Sequence, residues 1–207
     1  METPDFGALI DHPDYDLAID GMRILVKRGI FAPNPALSHS TQIVLDHLPT
    51  LDAKTVLDMG TGCGVLALAC ARRGASRVIA ADNDLLAVDN AKENVRRYHT
   101  PAGTIVDVIQ SNLFEKVSGC FDYILANLPI IDTLWRLETS TTSLLELFLS
   151  NAPAHLNPSG RIYLPWFSLC PVEPVRDLLS RSGYSTIEHR AERLGFTWYL
   201  FIASRTK

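Results

Sequence analysis

The chain has 207 residues, of which 47% are hydrophobic and 20% are charged. This is the composition of a globular protein with one sizeable core, and the length is short for two full domains. The formal net charge of −4 argues against a general nucleic-acid binder, which needs a basic face to neutralise phosphates.

The N-terminal residues 1–16 carry acidic side chains where a signal peptide has basic ones, and no apolar run approaches the roughly 20 residues that cross a bilayer. None of the four cysteines lies in a C-x-x-C pair or near a histidine at metal-ligand spacing. We therefore expect a soluble, cytoplasmic protein that has reduced thiols, no metal and no membrane partner.

The first regular elements are expected to be two strands, residues 15–19 and 22–26, joined by Asp20 and Gly21. An Asp-Gly pair suits a two-residue hairpin turn, whose residues need positive φ. Two prolines within residues 29–36 then exclude regular structure. The pattern predicts an N-terminal β-hairpin followed by an irregular connection.

A helix is expected next, through Ile43, Val44, Leu45 and Leu48, and its candidate caps are Ser38, Ser40 and Thr41. From residue 54 onward, short apolar runs alternate with amphipathic stretches. Strands are predicted at residues 55–59, 77–82, 104–110, 121–127, 160–166, 184–192 and 197–205, and helices at 63–74, 84–98, 142–156 and 174–183.

This alternation predicts an α/β fold with an open, mostly parallel seven-stranded sheet and helices on both faces. The last two strands are separated by only a few residues, which is too short for a parallel crossover. We therefore expect them to pair antiparallel.

The strand at 55–59 leads into Gly60, Gly62 and Gly64, and a helix follows. Glycines allow positive φ and close approach of a ligand, and ligands of open α/β sheets bind at the carboxyl ends of strands. The spacing is G-x-G-x-G, with Val65 where a dinucleotide fingerprint has its third glycine, and no G-K-[ST] follows. A nucleotide site is predicted, and both a P-loop and a nicotinamide-dependent oxidoreductase are disfavoured.

Two further polar residues end strands of the predicted sheet. Asp82 ends the second strand, and its carboxylate can accept hydrogen bonds from two ribose hydroxyls. Asn127 ends the fourth, immediately before Leu128 and Pro129. Proline cannot donate to a ladder, so the strand stops there, and the asparagine either forms a turn or contacts a ligand.

These motifs, D-x-G-x-G-x-G at 58–64, the acid at 82 and N-L-P-I at 127–130, resemble the class I S-adenosylmethionine-dependent methyltransferases. More narrowly, they resemble the branch with an N-P-P-[YF] motif, which includes glutamine-N5 methyltransferases and amino-methylating enzymes of nucleic acids. The resemblance covers residues 31–207. It implies a Rossmann-like methyltransferase, with an N-terminal hairpin segment at 1–34 and a cofactor-binding catalytic domain at 35–207.

The resemblance also implies which residues bind S-adenosylmethionine. The methionine end would lie against the first strand and the glycine turn, the ribose against the end of the second strand, and the adenine against the residues after the third. Residues 31–41 match a segment that approaches cofactor and acceptor, so Ser40 and Thr41 are site candidates as well as caps. The expected cofactor-binding residues are Asp58, Gly60, Thr61, Gly62, Asp82, Asn83, Asn112, Leu113 and Asn127, with Ser111 beside them.

The implied activity is transfer of a methyl group to an amide or amine nitrogen. The side-chain oxygen of Asn127 and the backbone carbonyl of Leu128 would accept the two N–H groups of the acceptor and direct its lone pair. Pro129 would hold this corner rigid.

Ile130 departs from the family pattern, since tyrosine or phenylalanine normally stacks there on a planar acceptor. Trp135 and Trp166 are candidates to supply an aromatic face, or else belong to the core or rim. The acceptor stays open among a protein glutamine, an RNA base and a small molecule. The alternative function is a methyltransferase-like binding module without catalysis.

Overall fold

The structure, a computed structural model, describes residues 6–98, 100–101, 103–129 and 140–206. The strands are β1 (Tyr15–Ile19), β2 (Met22–Val26), β3 (Thr55–Met59), β4 (Arg77–Asp82), β5 (Ile105–Gln110), β6 (Phe121–Ala126), β7 (Leu156–Phe167), β8 (Tyr184–Arg193) and β9 (Phe196–Arg205). The helices are α1 (Ser40–His47), α2 (Val65–Arg72), α3 (Leu85–Arg97), α4 (Thr141–Asn151) and α5 (Glu173–Arg181), with 3₁₀ turns at Phe6–Leu9 and Ala152–His155.

Strands β3 to β9 form one sheet in the order β5-β4-β3-β6-β7-β9-β8. The pairs from β5 to β7 are parallel, whereas β9 is antiparallel to both β7 and β8. The predicted fold class is confirmed, and β8 rather than β9 is the edge strand. Because β9 is antiparallel, it begins at the same sheet edge at which β7 ends, and this edge carries the site.

The helices cover both faces of the sheet, as the alternating pattern predicts. Buried side chains of α1, α2 and α3, such as Val44, Leu68 and Ala87, pack with the hairpin in one core cluster. Side chains of α4 and α5, such as Phe148 and Leu179, form the other. Among the helices of the described residues, none is long and apolar enough to cross a membrane.

The start of α1 differs from the predicted caps. The N-cap position is His39, whose side chain makes no capping bond, while the Ser38 hydroxyl accepts the Ser40 backbone N–H at 3.3 Å. Ser40 and Thr41 lie inside the helix, so they do not cap it. Their hydroxyls instead contact Ser38 Oγ and Asn127 Nδ2, respectively, at the sheet edge. By contrast, α3 has a side-chain cap, since Asp84 Oδ1 accepts the Leu86 N–H at 2.9 Å.

The hairpin forms around Asp20 and Gly21, which both have positive φ, as predicted. It is attached to α3 by two fully buried amides. Asn94 accepts the Leu25 N–H at 2.9 Å and donates to the carbonyls of Leu25 and Cys63, and Asn90 bonds to the same strand. One side chain thus connects the hairpin, α3 and the loop after β3.

We expect Asn94→Ala to lower the free energy of unfolding by about 2 kcal/mol. The change leaves the Leu25 N–H and the Cys63 carbonyl buried without their partner, and such groups cost about 1–3 kcal/mol each before the structure relaxes. Urea denaturation followed by circular dichroism measures this change in the free energy of unfolding. The exposed Asn151 is the matched control, and Asn151→Ala should change stability by less than about 0.5 kcal/mol. Equal effects of the two changes would contradict this role of Asn94.

Candidate functional site

A cavity of about 770 Å³ opens at the carboxyl edge of the sheet. Its wall combines the turn after β3, the ends of β4 and β6, the residues after β5, the segment before α1, and parts of α4, β7 and β9. The expected site residues that line it are Gly60, Thr61, Gly62, Asp82, Asn83, Ser111, Asn112, Leu113, Asn127, Leu128 and Pro129, together with Ser40 and Thr41. Asp58 is not among the lining residues.

The glycine turn brings main chain, rather than side chains, to the cavity wall. Gly60 and Gly62 have φ of 73° and 55°, and the N–H groups of Gly60 and Thr61 donate to the carbonyl of Ala81. A Cβ on Gly60 would lie 3.5 Å from the Leu128 side chain and 3.6 Å from the Asn127 carbonyl oxygen. Positive φ disfavours any other residue here. The turn and the corner after β6 are therefore direct neighbours.

Asp82 holds the glycine turn from the end of β4. Its Oδ2 accepts the Gly62 N–H at 2.9 Å, and its Oδ1 accepts the Asp84 N–H at 3.0 Å. Burial raises the pKa of the Asp82 carboxyl, while these backbone hydrogen bonds act in the opposite direction. Each carboxylate oxygen has a second lone pair, so the side chain can still accept hydrogen bonds from a ligand in the cavity.

Asp58 lies beneath the turn and is 1% exposed. Its Oδ2 accepts the Thr61 hydroxyl at 2.6 Å and the Ala67 N–H at 3.0 Å, whereas Oδ1 has no hydrogen-bond partner among the described residues. Burial raises the pKa of Asp58 from its ordinary 3.8 to about 7, against the effect of those two donors. A positive charge near this oxygen would favour the ionised carboxylate.

The raised pKa of Asp58 predicts that stability falls as pH rises from 5 to 7.5. Over this range the folded chain retains a proton that the unfolded chain has lost, so raising the pH favours unfolding. Relative to Asp58→Asn, which does not titrate, the wild type should lose roughly 2–3 kcal/mol of unfolding free energy between those pH values. Denaturant titrations of both proteins at each pH measure the difference. A difference in unfolding free energy between the two proteins that does not change with pH would contradict the raised pKa of Asp58.

The residues after β5 form a tight turn at the cavity wall. The Ser111 hydroxyl donates to the Leu113 carbonyl at 2.8 Å and accepts the Lys116 N–H at 3.0 Å. Leu113 has φ of 45°, and Asn112 Nδ2 donates to Glu115 at 2.9 Å. Ser111 thus shapes the turn, and the side-chain oxygen of Asn112 is left to accept from a ligand.

Asn127 and Leu128 place two acceptors at the corner after β6. The Asn127 amide nitrogen donates to Thr41 Oγ1 at 3.3 Å, which orients the amide. Within the part of the chain described, neither the Asn127 side-chain oxygen nor the Leu128 carbonyl accepts a hydrogen bond. Among the described residues, the corner therefore has two carbonyl oxygens without a hydrogen-bond partner, beside the glycine turn.

Four aromatic residues of the cavity wall were not predicted as site residues. Phe167 ends β7 and Trp198 lies early in β9; the two are paired in register, with rings stacked at 4.9 Å. Phe6 and Phe31 come from the N-terminal segment. The signal that could have found Phe167 is its position at the carboxyl end of a parallel strand, where Asn127 also lies.

Of the two tryptophans suggested from the sequence, the described one, Trp166, does not line this cavity. Trp166 is 6% exposed, donates to the Cys170 carbonyl and borders a separate small pocket beside Leu128. Trp135 and Ile130 lie outside the described residues.

The charge of the cavity favours a cationic ligand. The charged residues that line it within the described chain are Asp82 and Asp84, and no lysine, arginine or histidine of the described residues does so. Asp58 adds a carboxyl group directly beneath the turn. A pyrophosphate would lack a cationic side chain here, whereas an ammonium or sulfonium group would meet carboxylates.

Comparisons with known proteins agree with this arrangement. The family model described as "Methyltransferase small domain" matches residues 21–198. The chain is 31% identical over 117 residues to a Methanocaldococcus jannaschii protein provisionally named as a protein N5-glutamine methyltransferase, covering 56% of this chain and 55% of that one. It is 29% identical over 180 residues to ribosomal RNA small subunit methyltransferase C of Shigella flexneri, and the match covers 83% of this chain and 50% of that one.

The chain thus spans about half the length of the curated relatives it matches. Among solved structures, the ribosomal protein L11 methylase of Lactobacillus delbrueckii has a similar fold, with a TM-score of 0.67 at 23% identity. This match covers 88% of the present chain and 84% of the other.

Proposed function

The chain belongs to the methyltransferase small domain family, and from this premise we propose that it is an S-adenosylmethionine-dependent N-methyltransferase. The observation that carries the proposal is the corner after β6, where Asn127 and Leu128 line the cavity beside the glycine turn and their two oxygens, Asn127 Oδ1 and the Leu128 carbonyl, have no hydrogen-bond partner among the described residues. Such a corner suits an acceptor nitrogen that carries two hydrogens, as a primary amide or amine does.

The cavity residues fit the proposed cofactor. Gly60 and Gly62 offer main chain without side chains, and the buried Asp58 carboxyl beneath the turn, whose Oδ1 has no partner among the described residues, would attract an ammonium group through its charge. Asp82 would accept from the ribose hydroxyls and Asn112 from the adenine amine, with Asn83 and Leu113 alongside. Dinucleotides fit less well because their phosphates would lack a cationic partner among the described lining residues.

When bound, the cofactor would supply an electrophilic methyl carbon, to which the acceptor nitrogen would bond with its lone pair while the C–S bonding pair would stay on the sulfur. The chain's own contribution is orientation. Asn127 Oδ1 and the Leu128 carbonyl accept the two N–H groups of the acceptor, so its lone pair points in one direction. After transfer the nitrogen releases one proton to water.

The electrostatic contribution of the corner reinforces this orientation. As the lone pair is used, positive charge develops on the nitrogen, and two fixed carbonyl dipoles stabilise it. Thr41 keeps the Asn127 amide from rotating, and Pro129 follows immediately to hold the main chain. These residues are proposed as the catalytic and positioning groups.

Two experiments test this function. Calorimetry with S-adenosylhomocysteine should show one site per chain, and no heat of binding at millimolar ligand would contradict cofactor binding.

The second experiment tests methyl transfer. A lysate is separated into protein, RNA and small-molecule fractions, and purified protein and methyl-labelled S-adenosylmethionine are added to each. Label should enter one fraction. Cofactor binding without transfer to any fraction would favour the binding module instead.

A further inference from the structure

The cavity has a second half that the proposed cofactor does not explain. Phe6, Phe31, Phe167 and Trp198 line it from the hairpin side and from the ends of β7 and β9. Because β7 lies next to β6, Phe167 and its register partner Trp198 are on the Asn127 side of the cavity, away from Asp82 at the end of β4. The Phe6 ring contacts Phe167, and the segment of Phe31 lies beside the Phe6–Leu9 turn, since the Ala32 N–H donates to the Leu9 carbonyl. The volume of about 770 Å³ lies in the upper part of the range for ligand sites, about 300–1,000 Å³.

The aromatic wall is a packed, fixed surface. The rings of Phe167 and Trp198 are stacked within 17° of parallel, and Phe6 meets Phe167 edge-on at 5.7 Å. Phe167 and Trp198 are 3% and 2% exposed, so their orientation is set by the core. Phe196 supports both Phe6 and Phe167 from outside the cavity. A wall fixed in this way favours a flat, rigid ligand over a flexible aliphatic one.

The polar groups in this half are neutral. The hydroxyls of Ser38 and Ser40 bond to each other at 3.1 Å, and Thr41 holds Asn127. The charged lining residues of the described chain, Asp82 and Asp84, belong to the cofactor half. A phosphate or carboxylate on the acceptor would find no cationic side chain among the described lining residues, and its desolvation would go uncompensated.

From these three features we propose that the methyl acceptor is a small neutral molecule whose amide or amine nitrogen is attached to a flat aromatic ring. The nitrogen lies at Asn127 and the ring against Phe31, Phe167 and Trp198. This proposal rests on the proposed function, because it assigns the acceptor of the same site. It selects the small molecule over a nucleic acid, which brings phosphates, and over a glutamine side chain, which brings no ring.

The test compares three ligands on the protein saturated with S-adenosylhomocysteine. They are naphthalene-2-carboxamide, the same ring system with a phosphate ester, and N-acetylglutamine amide. Calorimetry should show that the neutral aromatic amide binds at least tenfold more tightly than each of the others. Equal binding of all three, tighter binding of the phosphate ester or of the glutamine derivative, or no binding of the aromatic amide would overturn the proposal.

Variants keep the test specific to the wall. Phe31 lies in a half-buried loop position, so Phe31→Ala should fold, weaken naphthalene-2-carboxamide about tenfold and leave S-adenosylhomocysteine binding unchanged. Phe31→Tyr should restore the affinity. Tyr123→Ala is the matched control, since Tyr123 is half-buried on β6, contacts Tyr163 and does not line the cavity. An equal loss in both alanine variants would contradict the assignment.

The two proposals can fail separately. If S-adenosylhomocysteine does not bind the wild type, the proposed function fails and the acceptor assignment falls with it. If it binds but the aromatic amide does not, the cofactor site stands and only the acceptor assignment is overturned.

Discussion

Replacing Asn127 with alanine is expected to lower kcat by about 100- to 1,000-fold while leaving the affinity for S-adenosylmethionine nearly unchanged. The change removes one of the two acceptors that orient the substrate nitrogen, and it removes an interaction that strengthens as positive charge develops. Steady-state rates with saturating cofactor, together with calorimetry on the same preparation, measure both quantities.

A matched control separates this effect from a loss of stability. Asn157 is also half-buried and donates to Asp122 Oδ1, far along the sheet from the cavity lining. Asn157→Ala should keep its kcat within about twofold. Thr41→Val should reduce kcat less than Asn127→Ala, because the amide is retained but loses its orienting partner. Unchanged turnover in Asn127→Ala would make this residue part of the scaffold only.

Asp82→Ala is expected to weaken cofactor binding by about three orders of magnitude. Hydrogen bonds to charged groups contribute about 1.5–3 kcal/mol each, and this carboxylate is proposed to accept two from the ribose. The change also releases the Gly62 N–H, so the glycine turn loses its tie to β4. Calorimetry with S-adenosylhomocysteine measures the loss. At saturating cofactor, kcat should fall much less than the affinity does.

The control for this second prediction is Asp107→Ala. Asp107 lies on the adjacent strand β5, pairs with Arg77 on the surface and does not line the cavity. Its replacement should leave cofactor affinity within about twofold. A loss of similar size in the two variants, or no loss in Asp82→Ala, would contradict ribose binding by Asp82.

Most strands could be predicted because their signals are local. The apolar runs at β3 and β4 end at glycine or acidic residues, and Asp20-Gly21 determines the hairpin turn without help from the rest of the chain. The longer β7 could not be predicted from its pattern. It begins at Leu156, where a 3₁₀ turn ends, and its pairing with β6 shifts register between Phe121 and Tyr123. Such a shift depends on the neighbouring strand.

The start of α1 shows the same limit. Ser40 and Thr41 have the side chains of helix caps, yet the Ser40 hydroxyl bonds to the neighbouring Ser38, and the Thr41 hydroxyl accepts from the distant Asn127. The boundary between an N-terminal hairpin segment, residues 1–34, and a catalytic domain, residues 35–207, stays a prediction. In the described chain, hairpin residues such as Ile24 share their core with α1 and α2.

The cofactor half of the candidate site could be predicted because its residues sit at strand ends with clear motifs. Asp58 could be named, but not its burial, which raises its pKa, nor the two hydrogen bonds that its Oδ2 accepts from Thr61 and Ala67. The aromatic half could not be predicted. Phe167 and Trp198 are 31 residues apart in sequence and meet only through the antiparallel pairing of β7 and β9.

The most direct measurement is a crystal structure of the protein soaked with S-adenosylhomocysteine. The nucleoside should lie over the Gly60–Gly64 turn, with its ribose hydroxyls on the Asp82 carboxylate and its sulfur facing Asn127. Ligand density elsewhere, no ligand density over the glycine turn, or a bound ligand whose sulfur faces away from Asn127 would contradict the proposed site.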